Sequence, residues 1–444
     1  PRSTPLYSSA ASDVYKRQGK LGIGFTDNQI KIGNTALDSL TTGVNNTAVG
    51  DAALTATTTG SSNTAMGQGA LDANTTGYMN TGIGKDALGQ NTEGFENTAV
   101  GKDALQSNTT GDGLVAVGKA ALNANTTANY NTAIVLSALT ANTTGNQNVA
   151  VGAYALDANL TGDNNVAIGY NSLTANTTGY QNTAVGEQSL NLNTTGNRNT
   201  AIGFETLEDN TTGHYNTALG YNSLASNTTA DNNTAVGYAT GGNITTGTNN
   251  TLMGYNAGDA ILAGTENIAI GVDALGDLTD GNYNTAVGTE ALANLSGSTN
   301  YTTGIGRDAG KQATTADNCV WIGGNSGPQA SVSTGNNNVG IGFQSQHSLT
   351  SGHSNIGVGT SALYGLTDAD RNVAKGYGAM ENGNVQGTNN VALGHNTLNQ
   401  VTTGSHNSTL GAYTLDANQT GNYNVAVGYE TIHNGVTTGE HNVC

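Results

Sequence analysis

The sequence predicts an all-β protein, a parallel β-solenoid (β-roll) of roughly 24 coils of 17 residues. The motif N-[TV]-A-[VI]-G recurs every 17 residues from Gly33 to Gly288, fifteen intervals without a slip, and Val135 takes one of the glycine positions. A Leu follows at a fixed distance, and N-T-T-G closes most copies. Repeats built from helix pairs need about 33 residues or more. A unit of 17 residues instead suits two short strands and two turns, and equivalent residues would stack about 4.8 Å apart.

Composition excludes several classes of protein. The net charge is −18, and charged residues make up only 10% of the 444 residues. An acidic chain is poorly suited to nucleic acid or anionic membranes. No apolar run approaches the roughly 20 residues that span a bilayer. We therefore expect no nucleic-acid partner and no membrane insertion, and no bridge between Cys319 and Cys444, which lie more than seven copies apart.

The domain organisation follows the repeat. Residues 1–18 do not fit it and resemble translated adaptor sequence, so we expect a foreign or unstructured leader outside the fold. Residues 19–288 form a regular array, and residues 289–342 form irregular coils in which the glycine spacing becomes 18, 17 and 19. Residues 343–444 continue the array to a truncated end. Neither end carries a polar cap, which predicts a fragment of a longer array.

Each copy begins with a short strand. Its second position is Thr or Val (Thr47, Val166) and its fourth is aliphatic (Val49, Ile168), so we expect these two on the inward face. The Asn, Ala and Gly of the motif would then form a second face of small residues. The Leu of A-L, for example Leu173, is the one large apolar side chain present in nearly every copy. The closing N-T-T-G is a turn whose Gly tolerates positive φ.

Two expectations about association follow. The turn asparagines, such as Asn176, should pass amide hydrogen bonds from coil to coil as a ladder. Three modest apolar side chains per coil, worth about 1.5–3 kcal/mol each when buried, do not by themselves offset the cost of ordering 17 residues. The small-residue face allows another chain to approach, which predicts a homo-oligomer, in the first place a trimer.

The N-[TVS]-[AG]-[VI]-G element resembles the S-V-A-I-G motif of YadA-like heads in trimeric autotransporter adhesins, and phage and bacterial tail-fibre repeats with N-T-A-I-G…A-L…N-T-T-G units. The resemblance covers roughly residues 19–444, although A-L-x-x-N-T-T-G replaces the shorter second element of those heads. It implies a left-handed, trimeric β-roll exposed on a cell or virion surface and used in attachment. It identifies no ligand.

No catalytic motif occurs. The sequence lacks G-x-S-x-G, H-E-x-x-H and a phosphate loop, and the seven His residues do not share a position in adjacent coils. We therefore expect no enzyme activity, no cofactor and no metal site, with the His residues as solvated turn residues.

Three groups of residues are candidates for recognition. Phe204, Tyr221, Tyr238 and Tyr255 follow the motif Gly in four consecutive coils, and would either pack on one another or bind sugars or a partner. Cys319 and Trp321 lie in the irregular region, where Trp321 takes the place of the usual Ala. This outlier is either a tolerated irregularity or a site where the rod bends or contacts something, and a Trp on the small-residue face would force neighbouring chains apart or plug a gap between them. Candidate N-glycosylation acceptors occur in the N-x-T turns, where Asn and Thr also suit turn chemistry alone: Asn74, Asn108, Asn125, Asn142, Asn176, Asn193, Asn210 and Asn227.

The predicted function is therefore a non-enzymatic extracellular fibre or adhesin, on a cell surface or as a virion fibre, that presents variable turns for attachment. Its expected partners are copies of itself and, for attachment, surface glycans or a host receptor. An alternative is an extracellular filament built by end-to-end stacking of uncapped coils. A weaker alternative is an ice-binding solenoid, because the Thr pair of N-T-T-G is adjacent and does not share one flat face.

Overall fold

The computed structural model describes residues 23–26, 28–381, 384–433 and 439–444. The predicted leader, residues 1–18, lies outside the described residues. The chain divides into two compact units, Pro1–His214 and Tyr215–Cys444. The described residues of both units form strands and turns without a helix, which confirms the all-β class.

The first unit is a parallel β-solenoid that begins with one hairpin. Its strands are β1 (Ile23–Thr26), β2 (Gln29–Ile32), β3 (Asn46–Val49), β4 (Thr64–Met66), β5 (Thr81–Ile83), β6 (Thr98–Val100), β7 (Val115–Val117), β8 (Thr132–Ile134), β9 (Val149–Val151), β10 (Val166–Ile168), β11 (Thr183–Val185) and β12 (Thr200–Ile202). β1 pairs antiparallel with β2, which the repeat did not predict. From β2 onward, each strand pairs in parallel with the strand of the next coil.

The second unit is also a parallel β-solenoid. Its strands are β13 (Thr217–Leu219), β14 (Thr234–Val236), β15 (Thr251–Met253), β16 (Ile268–Ile270), β17 (Thr285–Val287), β18 (Thr303–Ile305), β19 (Val320–Ile322), β20 (Val339–Ile341), β21 (Ile356–Val358), β22 (Val373–Lys375), β23 (Val391–Leu393), β24 (Ser408–Leu410) and β25 (Val425–Val427). Consecutive strands again pair in parallel.

The register within each unit places equivalent residues beside one another. Val166 pairs with Thr183 and Ala167 with Ala184, one 17-residue step apart. The predicted stacking of like on like is therefore confirmed. The insertions are accommodated outside the strands, since Thr285 still pairs with Thr303 and Val320 with Val339.

The predicted orientation of the strand is wrong. Asn165 and Ala167 are fully buried, whereas Val166 is partly exposed and Ile168 is 39% exposed. In every strand from β4 to β25 the middle residue is buried and the two beside it are not. The small-residue face therefore lines the interior of the coil, and cannot be the surface on which another chain packs.

The narrow interior of the coil explains why the small residues of the strand point inward and the β-branched residues point outward. Gly82 takes the position of the usual Ala, and a Cβ atom built on it would lie 3.3 Å from Cγ of Leu71 and 3.1 Å from the carbonyl oxygen of Ala87. The interior therefore has room for little more than a methyl group beside each Leu, and the β-branched side chains must point outward.

The Leu after the strand is the centre of the core, as predicted. Leu173 is fully buried, as are its equivalents in neighbouring coils. The segment that carries it is not a second strand, however, because Asn171 and Leu173 have φ of 52° and 54°. Left-handed conformations cost a non-glycine residue about 1 kcal/mol. Burial of the Leu and bonds to the next coil, such as the Leu173 N–H donated to Ser189 O at 2.9 Å, offset that cost.

The last position of the strand motif, which we call the strand glycine, strongly favours Gly. The φ of these glycines lies between 127° and 147° in the described coils, and Val135, which takes the position in one coil, has φ of 95°. A Cβ atom on Gly169 would lie 2.4 Å from the carbonyl oxygen of Gly186 in the next coil. Both the dihedral angle and the close approach of the coils therefore favour glycine.

The predicted ladder of turn asparagines is confirmed in the first unit. The Nδ2 of Asn176 donates to Oδ1 of Asn159 at 2.7 Å and to the carbonyl oxygen of Gly179 at 3.0 Å. In the second unit Asn227 and Asn418 hold the same position, and other coils fill it with buried aliphatic residues, including Ile244, Ile261 and Leu278. The first position of the turn can therefore be filled in two ways, by a hydrogen-bonded column of Asn or by a column of apolar side chains.

Candidate functional site

The outward side of the strands is a regular surface in each unit. We call it the strand face, and it consists of the first and third residues of each three-residue strand. In the first unit Met66, Ile168 and Ile202 are among its most exposed members, at 47%, 39% and 38%. The second unit continues the pattern with Leu219, Met253 and other aliphatic residues. Large apolar side chains in regular columns at this exposure are typical of a binding surface.

The strand face is almost free of charge. Across β4–β25 its residues are Thr, Ser, Val, Ile, Leu and Met, with Lys375 as the single exception. Thr predominates in the first column up to β18, and from β19 to β23 that column is Val or Ile. The arrangement can bury apolar area against a matching surface.

The candidate aromatic strip forms a stacked column in the second unit. Tyr221 and Tyr238 have ring centroids 5.0 Å apart with planes 7° from parallel, and Tyr238 and Tyr255 are 5.1 Å apart at 9°. Phe204 holds the equivalent position in the first unit and is 36% exposed. Mutual packing, one of the two expectations for this strip, is therefore present. Because neighbouring rings cover one another, the column offers its edges and hydroxyl groups to a ligand more than its ring faces.

Trp321 neither separates neighbouring chains nor plugs a gap between them, because the indole is fully buried inside its own coil. The positions of the core Leu in the coils before and after it are Gly310 and Gly327. A Cβ atom on Gly310 would lie 2.4 Å from Cε3 of Trp321, and one on Gly327 would lie 2.5 Å from its Cγ. Its Nε1 donates to Oε1 of Gln346 at 3.3 Å. Trp321 thus fills the space of two missing Leu residues and is not a contact site.

Cys319 is also an interior residue. It replaces the first Asn of the strand motif, and its Sγ lies 3.3 Å from the carbonyl oxygen of Gly335 and accepts the Asn338 N–H at 3.4 Å. Burial raises the pKa of the Cys319 thiol to about 12. Cys319 and the exposed Cys444 are both free thiols. A buried thiol with a raised pKa is a poor nucleophile and a poor metal ligand.

The candidate glycosylation acceptors are structural residues. All eight are fully buried, and the Nδ2 atoms of Asn108 and Asn193 illustrate their role, since each donates to the preceding turn asparagine and to its own turn. A glycan on Nδ2 would remove these bonds and would have no path to solvent. The folded coils therefore use these asparagines as turn chemistry and leave them closed to modification.

A further column of polar side chains was missed by the sequence analysis. It lies two residues before the strand motif, where Asp112 accepts the Phe95 N–H at 2.9 Å and Asp163 accepts the Asn146 N–H at 2.6 Å. His214 and His353 use Nδ1 in the same way, accepting the N–H of Asn197 and Asn336. The sequence feature that could have predicted this column is the recurrence of Asn, Asp, Ser and His at this position of the repeat. These residues cap backbone groups between coils.

One polar cavity of about 300 Å³ lies in the second unit, lined by Asp259, Asp273, Asp277, Glu290 and Lys311 among others. Lys311 pairs with Glu290 and lies 3.6 Å from Asp308, so the basic group at this cavity is already neutralised. Among the described residues no group of His, Cys, Asp and Glu is arranged to hold a metal ion.

No family model matches the chain, and no curated protein matches it significantly. The described part of the chain contains no helix long and apolar enough to cross a membrane.

Proposed function

We propose that this protein is a non-enzymatic, extracellular fibre or adhesin whose chains associate in parallel through the strand face, as a homotrimer. The observation that carries the proposal is the uniform exposure of aliphatic and Thr side chains along every strand from β4 to β25. The surface predicted for association was the small-residue face, which is buried. The strand face replaces it as the surface that a neighbouring chain would cover.

The strand face of each unit has an area of the order that an interface needs. Strands lie about 4.8 Å apart, and two side chains span a width of about 10 Å, so the strands β3–β12 present roughly 500 Å². The thirteen strands of the second unit present roughly 600 Å² by the same reasoning. Specific interfaces bury about 800 Å² per partner, so contacts beside the strand face would supply the remainder in each unit.

The repeat makes the surface self-complementary. Chains with the same coil spacing can align side by side, so that every apolar column meets an equivalent column along its length. Absence of charge removes like-charge repulsion from nearly the whole face. The resemblance to trimeric adhesin heads supports three as the number of chains.

The experiment is sedimentation of the intact chain and of two matched double variants. Wild type should sediment at three times the chain mass of 44.7 kDa. Ile168→Glu with Ile202→Glu places two charges on the strand face and should yield a folded monomer, judged by an unchanged circular dichroism spectrum. Thr178→Glu with Thr195→Glu places the same charges on exposed turn positions of the intervening coils and should remain trimeric.

Two results would contradict the proposal. One is a wild-type chain that sediments as a stable monomer at micromolar concentration. The other is an Ile168/Ile202 variant that remains as trimeric as the Thr178/Thr195 control, because the strand face would then be dispensable.

Attachment would use the columns outside the strand face. The stacked column of Tyr221, Tyr238 and Tyr255 is the best-defined of these, with each residue 43–51% exposed. In a glycan-array or cell-binding assay, changing all three to Phe retains the stack and removes the hydroxyl groups, whereas changing them to Ala removes both. Lost binding in both variants would indicate recognition through the hydroxyl groups, and unchanged binding in both would exclude the column as the attachment site.

Ice binding is a second candidate for one specific reason. The strand face places Thr beside an aliphatic residue two positions later, as in Thr183 and Val185, so that hydroxyl and methyl groups form parallel rows. The Thr row is interrupted by Val115, Val149 and Val166, which favours association over ice binding. Chain association covers the strand face with another chain, whereas ice binding needs the strand face exposed to water. Thermal hysteresis from a monomer would support ice binding, and a trimer without hysteresis would support the fibre.

A further inference from the structure

Lys375 is the one charged residue on the strand face of β4–β25. It is the third residue of β22, in the column otherwise occupied by aliphatic side chains, and it pairs with Val358 on one side and Leu393 on the other. Its side chain is exposed. Among the described residues no carboxylate forms an ion pair with it.

The position of Lys375 matters because of the symmetry of the proposed trimer, on which this inference rests. In a cyclic trimer, equivalent residues of the three chains lie at the same height along the axis. When the column that holds Lys375 faces that axis, association through the strand face brings the three ammonium groups together. The strand face of a neighbouring copy carries no carboxylate across β4–β25.

Three ammonium groups enclosed by Val and Leu would repel one another and lose hydration, which is costly unless an opposite charge compensates. We infer that the trimer binds a small inorganic anion, such as chloride or phosphate, between the three Lys375 side chains. Each ammonium carries three donors, so the anion would be held by charge-assisted hydrogen bonds. The site is incomplete in one chain and exists only when the partner copies contribute their lysines.

The test uses the intact chain, its Lys375→Met variant and the control Lys119→Met, in which the lysine is exposed but lies beside the strand and not on the strand face. Line broadening of the ³⁵Cl resonance reports chloride exchanging with a protein site, and added inorganic phosphate reports competition. Sedimentation of each sample reports the number of chains.

We expect a trimer in all three proteins. The chloride broadening should be present in wild type and in Lys119→Met and lost in Lys375→Met. Suppression of the broadening by phosphate would indicate a site that accepts either anion, and persistence would indicate a chloride-selective site. Lys375→Met should also raise the melting temperature in anion-poor buffer, since the repulsion is removed and the apolar column is completed.

The outcomes separate this inference from the proposed function. A trimeric wild type without chloride broadening, or with broadening that persists in Lys375→Met, overturns the anion site and leaves the fibre proposal standing. A monomeric wild type overturns the fibre proposal and the anion site with it.

Discussion

The indole of Trp321 occupies the space that the side chain at Gly310 would need, since a Cβ atom there would lie 2.4 Å from its Cε3. Leu252 repeats this relationship: it replaces the interior Ala of its strand, and the core Leu positions beside it are Gly241 and Gly258. A Cβ atom on Gly241 would lie 2.7 Å from Cδ1 of Leu252. A large residue entering from the strand thus occupies space that the core Leu residues of the turn occupy in other coils.

This exchange predicts a compensating pair of substitutions. Trp321→Ala should lower the free energy of unfolding by about 3–5 kcal/mol because it leaves a cavity in the core. Gly310→Leu alone should also destabilise, because it collides with the indole. Together they should recover part of the loss, since other coils hold a Leu at this position with a similar φ. Denaturant unfolding of the four proteins measures the coupling energy, and simple additivity would contradict the exchange.

Two neighbouring glycines should differ strongly in how much stability they lose on substitution by Ala. Gly323 is a strand glycine with φ of 127°, and a Cβ atom on it would lie 2.8 Å from the backbone of Gly342. Gly323→Ala should therefore destabilise by at least about 1–3 kcal/mol. Gly324→Ala meets only Phe343 at 3.6 Å and should change stability by less than about 0.5 kcal/mol. Thermal unfolding checks both, and equal effects would contradict the close approach of the coils.

The asparagine ladder should be sensitive to a single gap. Asn176→Ala removes the acceptor for Nδ2 of Asn193 and the donor to Oδ1 of Asn159, both inside the coil. A buried polar group without a partner costs about 1–3 kcal/mol, so the variant should be destabilised by that order. Thr178→Ala, at an exposed position of the same turn, should change stability by less than about 0.5 kcal/mol. Equal stabilities measured in denaturant would show that the ladder contributes nothing net.

The two thiols should differ in reactivity and in pH dependence. At pH 8 a thiol reagent should modify Cys444 in the native protein and reach Cys319 only after unfolding. Burial raises the pKa of Cys319 from an ordinary value of 9.0 to about 12, so the folded state holds that proton more tightly. The associated stability is present below pH 9 and is lost as pH rises toward 12. Cys319→Asn, which restores the usual residue, should remove this alkaline loss, and an unchanged pH profile would contradict it.

Most of the fold could be predicted because the repeat period specifies which residues of neighbouring coils lie beside one another. A strict 17-residue period places Leu173 on Leu190 and Asn176 on Asn193 whatever the detailed shape of the coil. The ladder, the buried Leu and the parallel pairing all follow from that stacking. The candidate sites were less predictable. Trp321 is an outlier of the repeat pattern, and the eight turn asparagines match the N-glycosylation motif, but all nine residues are buried inside the coils.

By itself, the sequence determined the period and the stacking of equivalent residues. Only the tertiary structure decided which face of the strand is enclosed. Alternation shows that Val166 and Ile168 share a side and that Asn165 and Ala167 share the other, but it does not say which side is inside. The narrow interior admits Ala beside Leu and excludes the β-branched residues, so the apolar columns lie outside, where a second chain can cover them.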